Sequence, residues 1–238
     1  MKHPRVVTSV VPATYDVPMR SRYGTIDTNF ATQLATFPVD QDGPALMVNF
    51  MRYHAEAQYA DGTTGVSGKE ADDRYAPVEI LADIGAHVAF FGDVVESSAS
   101  DRWDRVGIVQ YPTRRAFIEM QSRRDFQAKH EHKAAGMEFT IVVVAVPVAS
   151  GGDVLAGSAP VRFVLWPLGS SVEVDGDVAV FHVEGRVIGD ERAFGTLTIH
   201  PLESPLPTLP DGSLWAVSSR SIDRLGALVE AWPDSKRG

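Results

Sequence analysis

The 238-residue chain contains no cysteine. That absence removes disulfide scaffolds, thiolate nucleophiles, zinc–thiolate sites and thiolate-held iron–sulfur clusters together. It suits a cytoplasmic setting, which is the expectation here. No run of about 18 apolar residues occurs, so no membrane-spanning helix is expected. The segment MKHPRVVTSVVPATYDVP has basic residues and a short apolar patch, but its prolines and Asp16 interrupt it, and it does not read as a signal peptide. An excess of positive charge is also missing. The net charge is −9, which argues against nucleic acid as a main partner because phosphate binding needs a basic face. H-E-x-x-H, G-x-G-x-x-G after a strand, and G-x-S-x-G are all absent. GTTGVSGKE resembles a phosphate loop, but its glycine spacing is one residue too long and Glu70 stands where Ser or Thr is needed.

What the chain does have is 44% hydrophobic residues, enough for a packed core. Residues 1–43 are rich in Pro, Thr and Asp and read as an arm with one short helix near DTNFATQLATF. Such an arm packs along the outside of the next domain or covers a pocket; the former is the usual fate of a terminus. PALMVNFMRY reads as a buried strand. YADGTTGVSG is a loop, after which Ser67 and Glu70 form an S-x-x-E capping box at a helix start. Pro77 should kink or split that helix, and Gly85 is placed to end it. HVAFFGDVV and DRVGIVQY are strands, Pro112 and Thr113 open a second helical region running to Gly136, and FTIVVVAVPV is the strongest strand signal.

The order strand, helix, strand, strand, helix, strand over 44–148 predicts an α+β, ferredoxin-like βαββαβ domain. ASGGDVLAGSAP, within 149–160, reads as a linker. Residues 161–238 form a β-rich domain ending in a helix with Ile222, Leu225, Val229 and Trp232 on one face and Ser221 as its cap; Asp175-Gly176 marks a hairpin between its first two strands. HVAFFGDVVESSASDRWDRVGIVQYP and DVAVFHVEGRVIGDERAFGTLTIHP share a layout, so the second half reads as a degenerate copy whose sheet could cover the first.

MVNFMRYHAEAQYADGTTGVSGKEADDRYAP, WDRVGIVQYPTRRAFIEM and DFQAKHEHKAAGMEFTIVVVA, within residues 44–146, together resemble a bacterial family of uncharacterised proteins. This is domain of unknown function 1330, a branch of the dimeric α/β-barrel superfamily. The resemblance implies a homodimer and a ligand site between the helices and a concave sheet face. It says little about chemistry, since fold does not imply function.

The candidate site residues come from polar groups in apolar settings. RRDFQAKHEHKAAGM places His130 and His132 two apart, hence about 200° apart on a helix, so they cannot share one metal. His132 matches the family's His-basic-x-Ala-Gly position and is the first candidate for catalysis; a helix C-terminal histidine favoured by the dipole is the plain alternative. Asn49 sits in a buried run and must be hydrogen-bonded. Arg52 could hold a carboxylate or phosphate, or simply an ion pair. Tyr75, His130 and Tyr53 are candidate substrate contacts, with core packing as the alternative for Tyr75. Asp72 and Asp73 read as an exposed helix start that complements the dipole. His87 and His182 read as half-buried or solvated strand residues.

The resulting expectation is a small cofactor-independent enzyme of isomerase, cyclase or lyase type. It would act on an apolar or aromatic oxygenated metabolite, with a histidine as proton shuttle and Asn49 or Arg52 polarising an oxygen. No metal and no cofactor are expected. A non-catalytic ligand-binding or oligomerisation module is the second expectation, and a histidine-ligated haem protein a minor third.

Overall fold

The computed structural model describes residues 22–99, 101–174 and 176–238. Most of the proline-rich start of the arm, and Asp175 of the expected hairpin turn, lie outside them. In chain order the elements are β1 (Thr25–Ile26), α1 (Thr28–Ala35), β2 (Ala45–Tyr53), α2 (Gly68–Tyr75), α3 (Val78–Asp83), β3 (His87–Ser97), β4 (Arg105–Tyr111), α4 (Arg114–Gln121), α5 (Arg124–Gly136), β5 (Met137–Ala149), β6 (Val161–Pro167), β7 (Ala179–Gly189), β8 (Phe194–Pro201), β9 (Leu214–Ser218), β10 (Ile222–Asp223) and α6 (Leu225–Glu230).

Several boundaries follow from local chemistry. The Ser67 hydroxyl accepts from the Glu70 backbone N–H while the Glu70 carboxylate accepts from the Ser67 N–H, a complete capping box. Pro77 separates α2 from α3, and Gly85 leaves α3 at φ 72°. Asp27 caps α1 and Thr113 caps α4.

The strands do not form the expected α+β, ferredoxin-like domain with a separate β-rich second one. They form a closed, antiparallel barrel of eight strands in the order β7-β5-β2-β4-β3-β9-β6-β8, with β8 pairing back to β7. The fold is mostly β, with few helices. The first four barrel strands have no free edge: the outer edge of β5 is taken by β7 and that of β3 by β9. An unpaired edge exposes a row of backbone donors and acceptors, and closure removes it. The ferredoxin-like and dimeric α/β-barrel readings are corrected on this ground. The two segments that share a layout are the paired strands β3–β4 and β7–β8. The expected hairpin between β6 and β7 is absent, because β6 pairs with β8 and β9 instead. The C-terminal helix is also shorter than expected. Ile222 belongs to β10, and the Asp223 carboxylate, not Ser221, accepts from the Leu225 N–H.

Strand alternation sorts side chains into two layers. Leu46, Val48 and Phe50 of β2 point into the barrel and pack with Phe90, Phe163, Phe181, Leu197 and Leu214. An eight-stranded barrel has an interior just wide enough for side chains to fill. Met47 and Met51 of the same strand face outward, in a second apolar cluster with residues of α3, α4 and α5. β5 is buried on both faces, Ile141, Val143 and Ala145 inward and Val142 and Val144 outward, which explains its unbroken apolar run. Leu225, Val229 and Trp232 join the interior cluster. No helix among the described residues is long and apolar enough to cross a membrane.

Candidate functional site

Two features fix the helices over the outer face of the barrel. The first is a close crossing of α2 and α5. A Cβ on Gly68 would lie 2.4 Å from the Gly136 carbonyl oxygen, and one on Gly136 would lie 2.3 Å from that of Gly68. Only glycine permits this approach. The second is a charge cluster beneath α2. The Arg105 guanidinium, from β4, donates to Asp72 at 3.3 Å, to Asp73 at 2.8 Å and to Asp93 at 3.2 Å. The Tyr53 hydroxyl donates to the Asp72 carboxylate at 2.6 Å. Arg105 is held strongly protonated; burial opposes its charge, but the neighbouring Tyr53, Asp73 and Asp93 outweigh that. Asp72 is buried, so the reading of Asp72–Asp73 as an exposed pair is corrected for Asp72; the Asp73 side chain remains 55% exposed.

Between these helices and the outer barrel face lies a cavity of about 600 Å³. Its walls are mainly apolar and aromatic, including Met47, Met51, Phe91, Tyr111, Phe117 and Val142. Val78 and Ile222 line it and are also exposed to solvent, which puts them at its rim. The arm closes one side through Tyr23, Ile26 and Ala31, so it does cover a pocket.

A polar cluster projects from α5 into this space. Phe126, His130 and Lys133 fall four and three residues apart, on one helical face. His130 Nε2 lies 2.8 Å from the Tyr23 hydroxyl. Its ring packs beside Phe126 and Tyr75, with centroids at 5.8 and 6.2 Å. Burial, with Lys133 adding a smaller effect, pulls the His130 pKa down to about 4. Lys133 Nζ sits 5.1 Å from the Tyr75 ring centroid and 5.9 Å from that of Tyr23. Among the described residues no carboxylate pairs with it and no hydrogen bond holds it. Burial pushes its pKa below the usual lysine value, with Asp72 opposing in part. Burial also raises the Tyr75 and Tyr111 phenols, so both stay protonated.

Of the six sequence-predicted site residues, Asn49, Tyr75 and His130 line the cavity. The Asn49 amide donates to the Met47 carbonyl at 3.0 Å and to the Gly107 carbonyl at 3.3 Å, which satisfies its NH₂ and leaves its oxygen available. His132, Arg52 and Tyr53 are not among the lining residues. His132 turns to Tyr59, its Nδ1 2.9 Å from that hydroxyl. Arg52 pairs with Glu138 at 3.1 Å and lies over the Phe139 ring. Tyr53 belongs to the Arg105 cluster. Sequence reading missed Lys133 and Tyr23. The i, i+4, i+7 spacing of Phe126, His130 and Lys133 could have flagged the lysine; nothing local could have flagged Tyr23, which is 107 residues from its partner.

Among the described residues, no three His, Asp or Glu side chains gather as a metal site would need. No family model and no curated protein matches the chain, so the resemblance to domain of unknown function 1330 gains no support from them. Two solved structures are similar to parts of it. One is a methylated form of the RPA0582 protein, 26% identical, covering 51% of this chain and 93% of that one, with a TM-score of 0.44. The other is the RPA0582 protein of unknown function from Rhodopseudomonas palustris, 26% identical over 49% and 90% of the two chains, with a TM-score of 0.42. At these scores neither likeness bears on what the chain does.

Proposed function

We propose that the protein is a small cofactor-independent enzyme that takes an apolar or aromatic oxygenated molecule into the cavity between the helices and the outer barrel face. One observation carries this reading: an apolar space of about 600 Å³ into which a few polar groups, Lys133, His130 and Asn49, converge. That combination is typical of small-molecule sites. Proton transfer falls to Lys133 rather than to a histidine. His132 is turned away, and His130, with a pKa near 4, is a neutral acceptor at pH 7. A lysine made less basic by burial accepts and returns a proton more readily than an ordinary one. Asn49 offers a fixed amide beside the ligand. Isomerase, cyclase or lyase chemistry on a carbonyl-bearing substrate fits these parts. The second reading is a ligand carrier with the same cavity and no turnover.

The test is binding of 1-anilinonaphthalene-8-sulfonate, followed by its displacement with small aromatic acids, ketones and aldehydes. Wild type should bind the dye and Val109→Phe, which puts a ring into the cavity, should not, with circular dichroism confirming that both are folded. Equal binding by the two proteins would sink the cavity reading. Ligands that bind but are recovered unchanged would favour the carrier.

A further inference from the structure

We infer that Lys133 is a carbonyl-trapping amine, which forms an imine with an aldehyde or ketone held in the cavity. This rests on the cavity being the ligand site, and goes beyond it by naming a covalent step and a substrate class. The geometry carries the inference. Lys133 is a lone amine on the wall of an apolar cavity. Its Nζ lies over two tyrosine rings instead of a carboxylate. The other described lysines are differently placed: Lys69 Nζ is 2.5 Å from Asp93, and Lys236 Nζ donates to the Gln41 carbonyl at 2.8 Å. Lys129 does not line the cavity. An ordinary lysine is unprotonated in only roughly one molecule in a few thousand at pH 7, and burial shifts Lys133 toward the reactive free amine.

The step balances without an oxidant or reductant. The Nζ lone pair bonds to the carbonyl carbon and the carbonyl π pair moves to oxygen. One N–H proton transfers to that oxygen. The C–O bond then breaks, and the hydroxyl leaves with the second N–H proton as one water, giving a C=N bond. Protonated, this imine draws electrons from the neighbouring carbon. That eases removal of a proton or a carbon substituent there, the chemistry an isomerase or lyase needs. The groups that face Lys133 are Tyr23 from the arm, Asp72 and Tyr75 from α2, and His130 on its own helix. Of these Asp72 is already engaged by the Arg105 guanidinium and the Tyr53 hydroxyl.

The experiment uses the full chain, 2-naphthaldehyde at limiting concentration, and sodium borohydride to fix any imine as a secondary amine. Intact mass and peptide mapping then locate the label among the five lysines. The expected result is one adduct per chain, at Lys133. It should be lost in Lys133→Arg and in Lys133→Met, each checked for folding by circular dichroism, and suppressed by excess 1-anilinonaphthalene-8-sulfonate. The label should also form at lower pH on Lys133 than on Lys129. Label spread over all lysines, or unchanged in Lys133→Arg, overturns the inference. If the aldehyde displaces the dye but nothing is trapped, the covalent step is wrong and the binding site stands. If neither happens, both are wrong.

Discussion

The two faces of β2 differ in what they meet. Leu46, Val48 and Phe50 point into a barrel interior filled by strands from the far half of the chain. Met47, Asn49 and Met51, one residue out of phase, face a cavity that helices roof over without filling. The same strand therefore supplies a close-packed core and the floor of a cavity. The difference lies in the opposing layer. β6 to β9 come close enough to interdigitate, whereas α2 and α5 are held by their glycine crossing and by the Arg105 cluster at a height that leaves space.

Substitutions can break this contrast in graded steps. The largest effect is expected inside the barrel. Phe163 is fully buried and touches Phe50 and Phe90, with centroids at 6.4 and 5.0 Å. Phe163→Ala should cost about 3–5 kcal/mol, read as a fall in the denaturant midpoint. Phe117→Ala, on the cavity wall and only half-buried, should cost about 1 kcal/mol, because its space already opens on the cavity. Equal losses would mean the two faces are packed alike.

Arg105→Ala should cost about 3 kcal/mol, the low end for breaking a buried pair, since Asp72 loses its cation while Asp73 and Asp93 remain in contact with water. Loss of dye binding before global unfolding would show that this cluster holds the cavity roof. Ser67→Ala, which removes the capping box of α2, should cost about 1 kcal/mol. It should loosen that helix in hydrogen exchange more than the barrel strands.

Acidification gives the mildest probe. His130 and His200 both have pKa values lowered to about 4, chiefly by burial, against 6.5 for an unperturbed histidine. As pH falls from 6.5 toward 4 the unfolded chain takes up these protons first. Stability is therefore fully present above 6.5, declines through that window and levels off below about 4 as far as these two groups are concerned. Asp125, held near 2 mainly by Arg123, is lost only at more acid pH. Denaturant midpoints at pH 7.5, 6 and 5 should fall in order, and His130→Gln should flatten the slope. An unchanged slope in that variant would remove His130 from the account.

Much of the local structure is legible in the chain. S-x-x-E, Pro77 and Gly85 mark the bounds of α2 and α3, and the β-branched run marks β5. Helical spacing separates His130 from His132, Asn49 could be picked out as a polar group in an apolar run, and Tyr75 by its place on the inner face of α2. The rest fails where the deciding partner is remote in sequence. His132, Arg52 and Tyr53 carry the right chemistry, but Tyr59, Glu138 and Asp72 satisfy them away from the cavity. Lys133 could not be singled out, because its surroundings come from α2 and the arm.

By itself the sequence determined the bounds of α2 and α3, the capping box of α2, the strand character of β2 to β5, and which side of α5 is apolar. These are short-range matters of backbone dihedrals, capping groups and periodicity. The tertiary structure alone decided that eight strands close on themselves and that one lysine lies against tyrosine rings on a cavity wall. Closure depends on β7 finding β5 and β9 finding β3, and an alternating pattern states which face is buried without naming the neighbour. The lysine's shifted basicity is a property of the low-dielectric space around it, made by three segments that meet only when the chain is folded.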